Sequence, residues 1–257
     1  MNKAQAVAAG DGIAIRCVEI AKRFGATKAV APFSVTLAAG QTTALVGPSG
    51  CGKSTILRMI AGLDAPDGGT VTLGGDTPAE VARRGGLAMA FQDPSLLPWR
   101  SVRANIALGA ELARKPADQA DALIELVGLG GFADHRPAEL SGGMRQRAAI
   151  ARSLVSAPQV LLLDEPFGAV DAMTRRRLND DLPPLWRSRG TTVVLVTHSV
   201  QEAILLSDRV LVLSPRPARL IADIPVDLTG ARDKNLVETD AFRTLSRRVF
   251  DALEEEA

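Results

Sequence analysis

The segment Gly47-Pro-Ser-Gly-Cys-Gly-Lys53-Ser54 constrains this chain more than any other. It follows the apolar run Thr42–Val46 and precedes Ile56, Leu57, Met59, Ile60 and Leu63, which recur at helical spacing and end near Gly62. Strand, glycine loop and helix in that order match GxxxxGK[ST]. In such a loop successive backbone N–H groups curl around a phosphate, and glycines let the main chain come close. Lys53 is expected to reach β- and γ-phosphate oxygens and Ser54 to ligate Mg²⁺, with the helix adding its positive end. Gly47, Pro48, Ser49, Gly50, Cys51, Gly52, Lys53, Ser54 and Thr55 are thus the candidate nucleotide-binding residues. Cys51 reads as a loop residue beside the nucleotide, because no base that would activate its thiol is evident.

A second site stands further along. Val160-Leu-Leu-Leu-Asp164-Glu165 is an apolar strand that ends in two acids. A strand buried on both faces carries acids only at its exposed carboxyl end, where sheets of this kind place ligands. Alone, the pair reads equally well as a cap for the next helix. With the phosphate loop upstream, Asp164 is expected to hold Mg²⁺ and Glu165 to take a proton from an attacking water.

The rest of the chain frames these two sites. Ile13–Val18 and Ser34–Leu37 read as short strands broken by Gly25, Pro32 and Gly40, and 69–74 and 86–91 as further strands. Val102–Leu112, Ala117–Val127 and Met144–Val155 have helical periodicity. Val160–Leu163, Thr191–Thr197 and Arg209–Leu213 then return as apolar strands alternating with helices, the pattern of a parallel sheet covered on both faces. Phe242, Leu245, Val249, Phe250 and Leu253 predict one amphipathic helix in a short tail. Pro183-Pro184 predicts a break in the preceding helix, since interior proline costs ~3 kcal/mol or more.

Composition narrows the function classes. Thirty basic residues nearly balance 29 acidic ones, which argues against nucleic acid as a partner. The arginines at 175–177 and at 243, 247 and 248 read as solvated helix faces. Two cysteines without a CxxC pair fit a reducing compartment. Met1–Gly12 lacks the apolar core of a secretory signal, and no apolar run approaches the ~20 residues that span a bilayer.

Leu140-Ser141-Gly142-Gly143-Met144-Arg145-Gln146-Arg147 separates this chain from most phosphate-loop proteins. By itself, Ser141 reads as an N-cap before an amphipathic helix, and its neighbouring free N–H groups as an anion site. In order and context the segment resembles the signature motif of ATP-binding cassette (ABC) proteins, and the likeness covers residues ~13 to 215. The resemblance implies a RecA-like phosphate-loop core of mainly parallel sheet, with an antiparallel β-subdomain and an inserted helical subdomain. The expected boundaries are 12–92 and 156–215 for the core with its β-subdomain, 93–155 for the helical insert and 216–257 for the tail. It further implies that Phe24 stacks on adenine, that Gln92 touches Mg²⁺ or water, and that Asp171 lies in a loop crossing between cassettes. His198 matches the family's switch histidine, whereas His135 reads as surface. Two chains are expected to pair head to tail, Ser141, Gly142 and Gly143 of one completing the ATP site of the other.

Phe91-Gln-Asp-Pro-Ser-Leu-Leu-Pro-Trp99, Asp164–Thr174 and Leu213-Ser-Pro-Arg-Pro217 are similar to the nitrate, sulfonate and taurine importer ATPases. That likeness implies a separate membrane permease, an extracytoplasmic solute-binding protein acting indirectly, and a peripheral position on the cytoplasmic face of the inner membrane. Trp99 and Leu96–Leu97 either contact the permease or pack within the helical lobe. The competing readings are a soluble, non-transport cassette ATPase, a phosphate-loop GTPase or kinase, and an inactive partner in a heterodimer. The GTPase reading lacks an Asn-Lys-x-Asp pattern, and intact Lys53, Asp164, Glu165 and His198 oppose inactivity. Ser199 after His198, where relatives usually have Asp, and Ala218, where Gly is frequent, are departures from the family pattern.

Overall fold

A computed structural model describes residues 12–228 and 236–255. Readings that fall on residues 1–11, 229–235 and 256–257, including the absence of a secretory signal, lie outside the described residues. The chain runs β1 (Ile15–Phe24), β2 (Thr27–Leu37), β3 (Thr42–Val46), α1 (Lys53–Ile60), β4 (Gly68–Leu73), α2 (Pro78–Arg83), β5 (Leu87–Ala90), α3 (Val102–Ala113) and α4 (Ala120–Leu126). It continues α5 (Gly142–Leu154), β6 (Val160–Asp164), α6 (Ala172–Asp181), α7 (Pro183–Arg187), β7 (Thr192–Val196), α8 (Val200–Leu206), β8 (Arg209–Leu213), β9 (Leu220–Pro225) and α9 (Asp240–Glu254).

Six strands form one sheet in the order β5-β6-β7-β3-β8-β9, parallel except for β9, and β2-β1-β4 form a separate antiparallel sheet. The apolar strands explain the first sheet. Every residue of β3, β6 and β7 is buried, and alternate side chains serve opposite faces. Leu161, Leu163, Val193 and Leu195 join Phe167 and Trp186 under the helical insert. Val160, Leu162, Val194 and Val196 join Ile56, Leu57 and Met59 beneath the antiparallel sheet. Such a sheet points its carboxyl ends at one edge, where both phosphate-loop and carboxylate residues emerge.

The helical insert holds the segment that leaves β5. Asn105 of α3 is fully buried; it accepts from Leu97 N–H at 2.7 Å and donates to the carbonyls of Leu97, Arg100 and Ser101 at 3.0–3.1 Å. From α5, Gln146 donates to the Phe91 carbonyl at 3.2 Å, and Arg152 to those of Pro94 and Ser95 at 2.8 and 2.9 Å. Gln92 therefore sits in a segment just past β5 that is tied to the same helix that begins at Gly142.

Several local expectations need correction. Pro32 lies within β2 rather than breaking it, Leu63 falls beyond α1 and is exposed, and α4 starts at Ala120. The break at Pro183 occurs as expected: α6 ends, and α7 begins with that proline in its first position. Beyond residue 216 there is more than a helix, because β9 adds an antiparallel edge strand. Arg209 fixes it, donating to Asp223 Oδ1 at 2.7 Å and to Asp223 Oδ2 at 2.5 Å. In α9, Phe242, Leu245 and Val249 are buried but Phe250 is exposed. Arg175 is no solvated charge either. Its guanidinium donates to the Phe167 and Val170 carbonyls and lies 3.5 Å from Glu202.

Candidate functional site

β3 sits centrally between β7 and β8, and its last residue feeds directly into Gly47. The loop needs its glycines for space as well as for curvature. A Cβ on Gly52, at φ +127°, would lie 2.9 Å from the Ala29 carbonyl, and one on Gly47 would lie 2.8 Å from that of Leu213. Cys51 turns its side chain into the core. Lys53 is buried and folded back on its own loop, donating to the Gly47 and Pro48 carbonyls at 2.7 and 2.8 Å.

β6 ends at Asp164, level with Val196 of β7. Ser54 Oγ donates to Asp164 Oδ1 at 2.9 Å, which joins the loop to the second carboxylate strand. Burial pushes the Asp164 carboxyl above its ordinary pKa, the Ser54 hydrogen bond works against that, and the neighbouring Glu165 charge adds to it. A desolvated carboxylate beside a hydroxyl is a hard-oxygen donor pair that suits Mg²⁺, and a dication would stabilise the ionised form. It follows that Asp164→Asn raises the thermal midpoint of the nucleotide-free protein, since the buried charge goes while an acceptor for Ser54 stays. The same variant loses Mg²⁺-dependent nucleotide binding. Differential scanning fluorimetry with and without Mg²⁺ and ATP reads both effects.

Glu165 follows at φ +45°, a conformation that non-glycine residues seldom adopt, and its N–H is held by the Val196 carbonyl at 2.9 Å. Its Oε2 lies 3.5 Å from both Gln92 Nε2 and His198 Nδ1. His198 comes just past β7, and Ser199 behind it caps α8 by accepting from Glu202 N–H at 3.2 Å. A serine does here the capping that an aspartate does equally well. Phe24, at the end of β1, is 52% exposed rather than buried in the core. It forms one wall of a cleft of about 680 Å³ that is also lined by Ser49, Lys53, Ser54, Thr55, Gln92, Glu165 and His198.

Not every expected site residue meets there. Ser141, Gly142, Gly143 and Asp171 do not line this cleft, and neither do Gly47, Pro48, Cys51 and Asp164. Ser141 caps α5 through Met144 N–H at 3.3 Å, Gly143 lies against the Ala169 carbonyl, and Asp171 caps α6 through Thr174 N–H at 3.0 Å. Capping holds the Asp171 carboxyl below its ordinary pKa. His135 is half-buried beside Phe132 and away from the cleft. Three lining residues went unforeseen: Thr27, Ala29 and Arg216. Arg216, in the turn between β8 and β9, reaches the cleft and grips the phosphate loop. Its place just past the carboxyl end of a central strand was the available signal.

A parallel sheet that delivers a glycine loop and a glutamate to one cleft, with a buried aspartate bonded to the loop's serine, defines a phosphate-loop nucleoside triphosphatase. The family profile described as ABC transporter matches residues 30–168. The chain is 43% identical over 232 residues to an aliphatic sulfonates import ATP-binding protein of Cupriavidus necator, covering 90% of this chain and 75% of that one. It is 45% identical over 217 residues to an uncharacterized ABC transporter ATP-binding protein of Methanocaldococcus jannaschii, covering 82% and 79%. A dimeric ATP-binding cassette solved in a post-hydrolysis state with ADP and Pi superposes with a TM-score of 0.75 at 27% identity, over 83% of this chain and 99% of that one. The chain belongs to the ABC transporter family, as an ATP-binding, ATP-hydrolysing cassette.

Proposed function

We propose that this cassette drives an importer of small organic sulfonates or related anions, pairing with a second copy of itself on the cytoplasmic face of a separate membrane permease. The observation that carries the reading is the division of the site. Lys53, Ser54, Gln92, Asp164, Glu165 and His198 converge on one cleft or its floor, while Ser141–Gly143 stand apart with N–H groups at the start of α5. A second copy turned head to tail would bring that helix end to the ATP, and the dimeric cassette relative supports the arrangement.

The residues then have separate tasks. Phe24 offers a ring face to adenine. Lys53 exchanges its loop carbonyls for phosphate oxygens, and the loop N–H groups hold the β-phosphate. Ser54, Gln92 and Asp164 would hold Mg²⁺, which would supply charge neutralisation on the phosphates. Glu165 accepts the proton of the attacking water. His198, which like Gln92 lies 3.5 Å from Glu165 Oε2, would face the γ-phosphate and help hold the water in line.

The segment after Gln92 and the groove next to β5 are the surfaces offered to the permease. Trp99 is 68% exposed, and a separate groove of about 290 Å³ is lined by Phe91, Leu108, Arg152 and Leu112, itself 74% exposed. Leu96, by contrast, packs against the core of the helical insert. Among the described residues no helix is long and apolar enough to cross a membrane, which agrees with transport through another chain. The sulfonate importer relatives support the class of solute, which a separate solute-binding protein would deliver. Disrupting the gene should abolish uptake of radiolabelled taurine or ethanesulfonate and growth on them as sole sulfur source. Unchanged uptake of both would remove the sulfonate assignment.

A further inference from the structure

Arg216 makes two contacts to a single atom. Its Nε and one terminal nitrogen donate to the Gly50 carbonyl at 3.1 and 2.6 Å. Gly50 is in the left-handed region at φ +71°, midway round the phosphate loop. In a planar trans peptide the carbonyl and the following N–H point in opposite directions. A guanidinium that holds the Gly50 oxygen therefore also fixes the direction of the Cys51 N–H, which donates to the Pro48 carbonyl at 3.3 Å. That N–H is among those the loop must present to a phosphate.

The turn that carries Arg216 is itself braced. Ser214 is buried and donates to the Pro215 and Pro217 carbonyls at 2.8 and 3.2 Å, and it accepts from Arg219 N–H at 3.1 Å. Ala218 is fully buried and bonded on both sides to β2, its N–H to the Ala29 carbonyl and its carbonyl to Ala31 N–H, each at 3.0 Å. Its methyl fills the space beside Gly52, so alanine packs here where a glycine would leave a gap. Arg216 thus works from a rigid base. It also has no carboxylate partner among the described residues, so its positive charge is left to the cleft.

We infer that Arg216 is a positioning residue for the nucleotide, setting the phosphate loop in its binding conformation through the Gly50 carbonyl. The inference rests on the reading of the cleft as an ATP site. It separates the fork geometry of arginine from its charge, because lysine keeps the charge but cannot place two donors on one oxygen in a fixed plane.

The test is a titration of the purified chain with a fluorescent ATP analogue and Mg²⁺, alongside steady-state ATPase kinetics, for wild type, Arg216→Ala and Arg216→Lys. Loss of a charge-assisted grip predicts a Kd and KM for ATP about tenfold higher in Arg216→Ala, with kcat changed less than twofold. Arg216→Lys should recover less than half of that loss on a logarithmic scale, and the nucleotide-free thermal midpoints should match. An unchanged Kd in Arg216→Ala, or full recovery in Arg216→Lys, would overturn the inference. No binding by wild type would fell the ATP-site reading and the inference with it, a result distinct from binding that ignores Arg216.

Discussion

Glu165→Gln is expected to keep ATP and lose turnover, with kcat down by about 10²- to 10⁴-fold. The glutamine keeps the shape of the side chain and can still contact Gln92 and His198, each 3.5 Å from the carboxylate oxygen it replaces. What disappears is the only basic oxygen at that point. ATP affinity should move little, because the loop, Lys53 and Ser54 are untouched. A chain that binds ATP without cleaving it should accumulate as the closed dimer, since nucleotide stabilises that state by mass action. Single-turnover ATPase assays and analytical ultracentrifugation with ATP and Mg²⁺ measure the two effects. A variant that hydrolyses at more than a tenth of the wild-type rate would exclude Glu165 as the base.

Gly142→Asp should be inactive alone and should regain activity when mixed with Lys53→Ala. A Cβ added to Gly142 meets nothing within 4 Å, so the monomer accommodates the change. A carboxylate in the first turn of α5 even favours the helix by about 0.3–1 kcal/mol. In the proposed head-to-tail dimer, however, it would face the phosphates bound by the other chain, and such like-charge contact costs several kcal/mol. Lys53→Ala fails for the opposite reason, having an intact α5 end but no loop cation. In a random mixture about half the dimers combine the two, each with one intact site, so about a quarter of wild-type activity returns if the sites act independently. An additive, near-zero rate in the mixture would show that each chain hydrolyses ATP by itself.

The parts of this protein that read clearly from sequence are those where local pattern and tertiary role coincide. β3, β6 and β7 announce themselves because strands buried on both faces are apolar nearly throughout, and acids at 164 and 165 mark the carboxyl end of β6, although Asp164 itself is buried. The loop at 47–54 is legible because its glycines are forced by close backbone approach. β9 was missed for the converse reason. Its alternation is weak, and its register comes from Asp223 pairing with Arg209 on the neighbouring strand. Nothing local distinguishes Arg175, which grips two carbonyls, from Arg176, which lies exposed beside it. Asn105 is similar: a polar residue in a helical period looks like a solvent-facing position, yet it is fully buried because four backbone groups of a loop need partners. Arg216 was visible as part of Ser-Pro-Arg-Pro, but only the fold shows that the turn after β8 leans over the phosphate loop.

The central claim is that ATP chemistry in this cleft serves a membrane permease. The most direct test captures tagged Glu165→Gln chain from detergent-solubilised native membranes, with and without ATP and Mg²⁺. The account predicts co-purification of a polytopic membrane protein, recovered with ATP and reduced when the exposed Trp99 is replaced by Asp. Recovery of soluble partners alone, or of nothing but the chain itself, would contradict it and favour a cassette ATPase that works away from any permease.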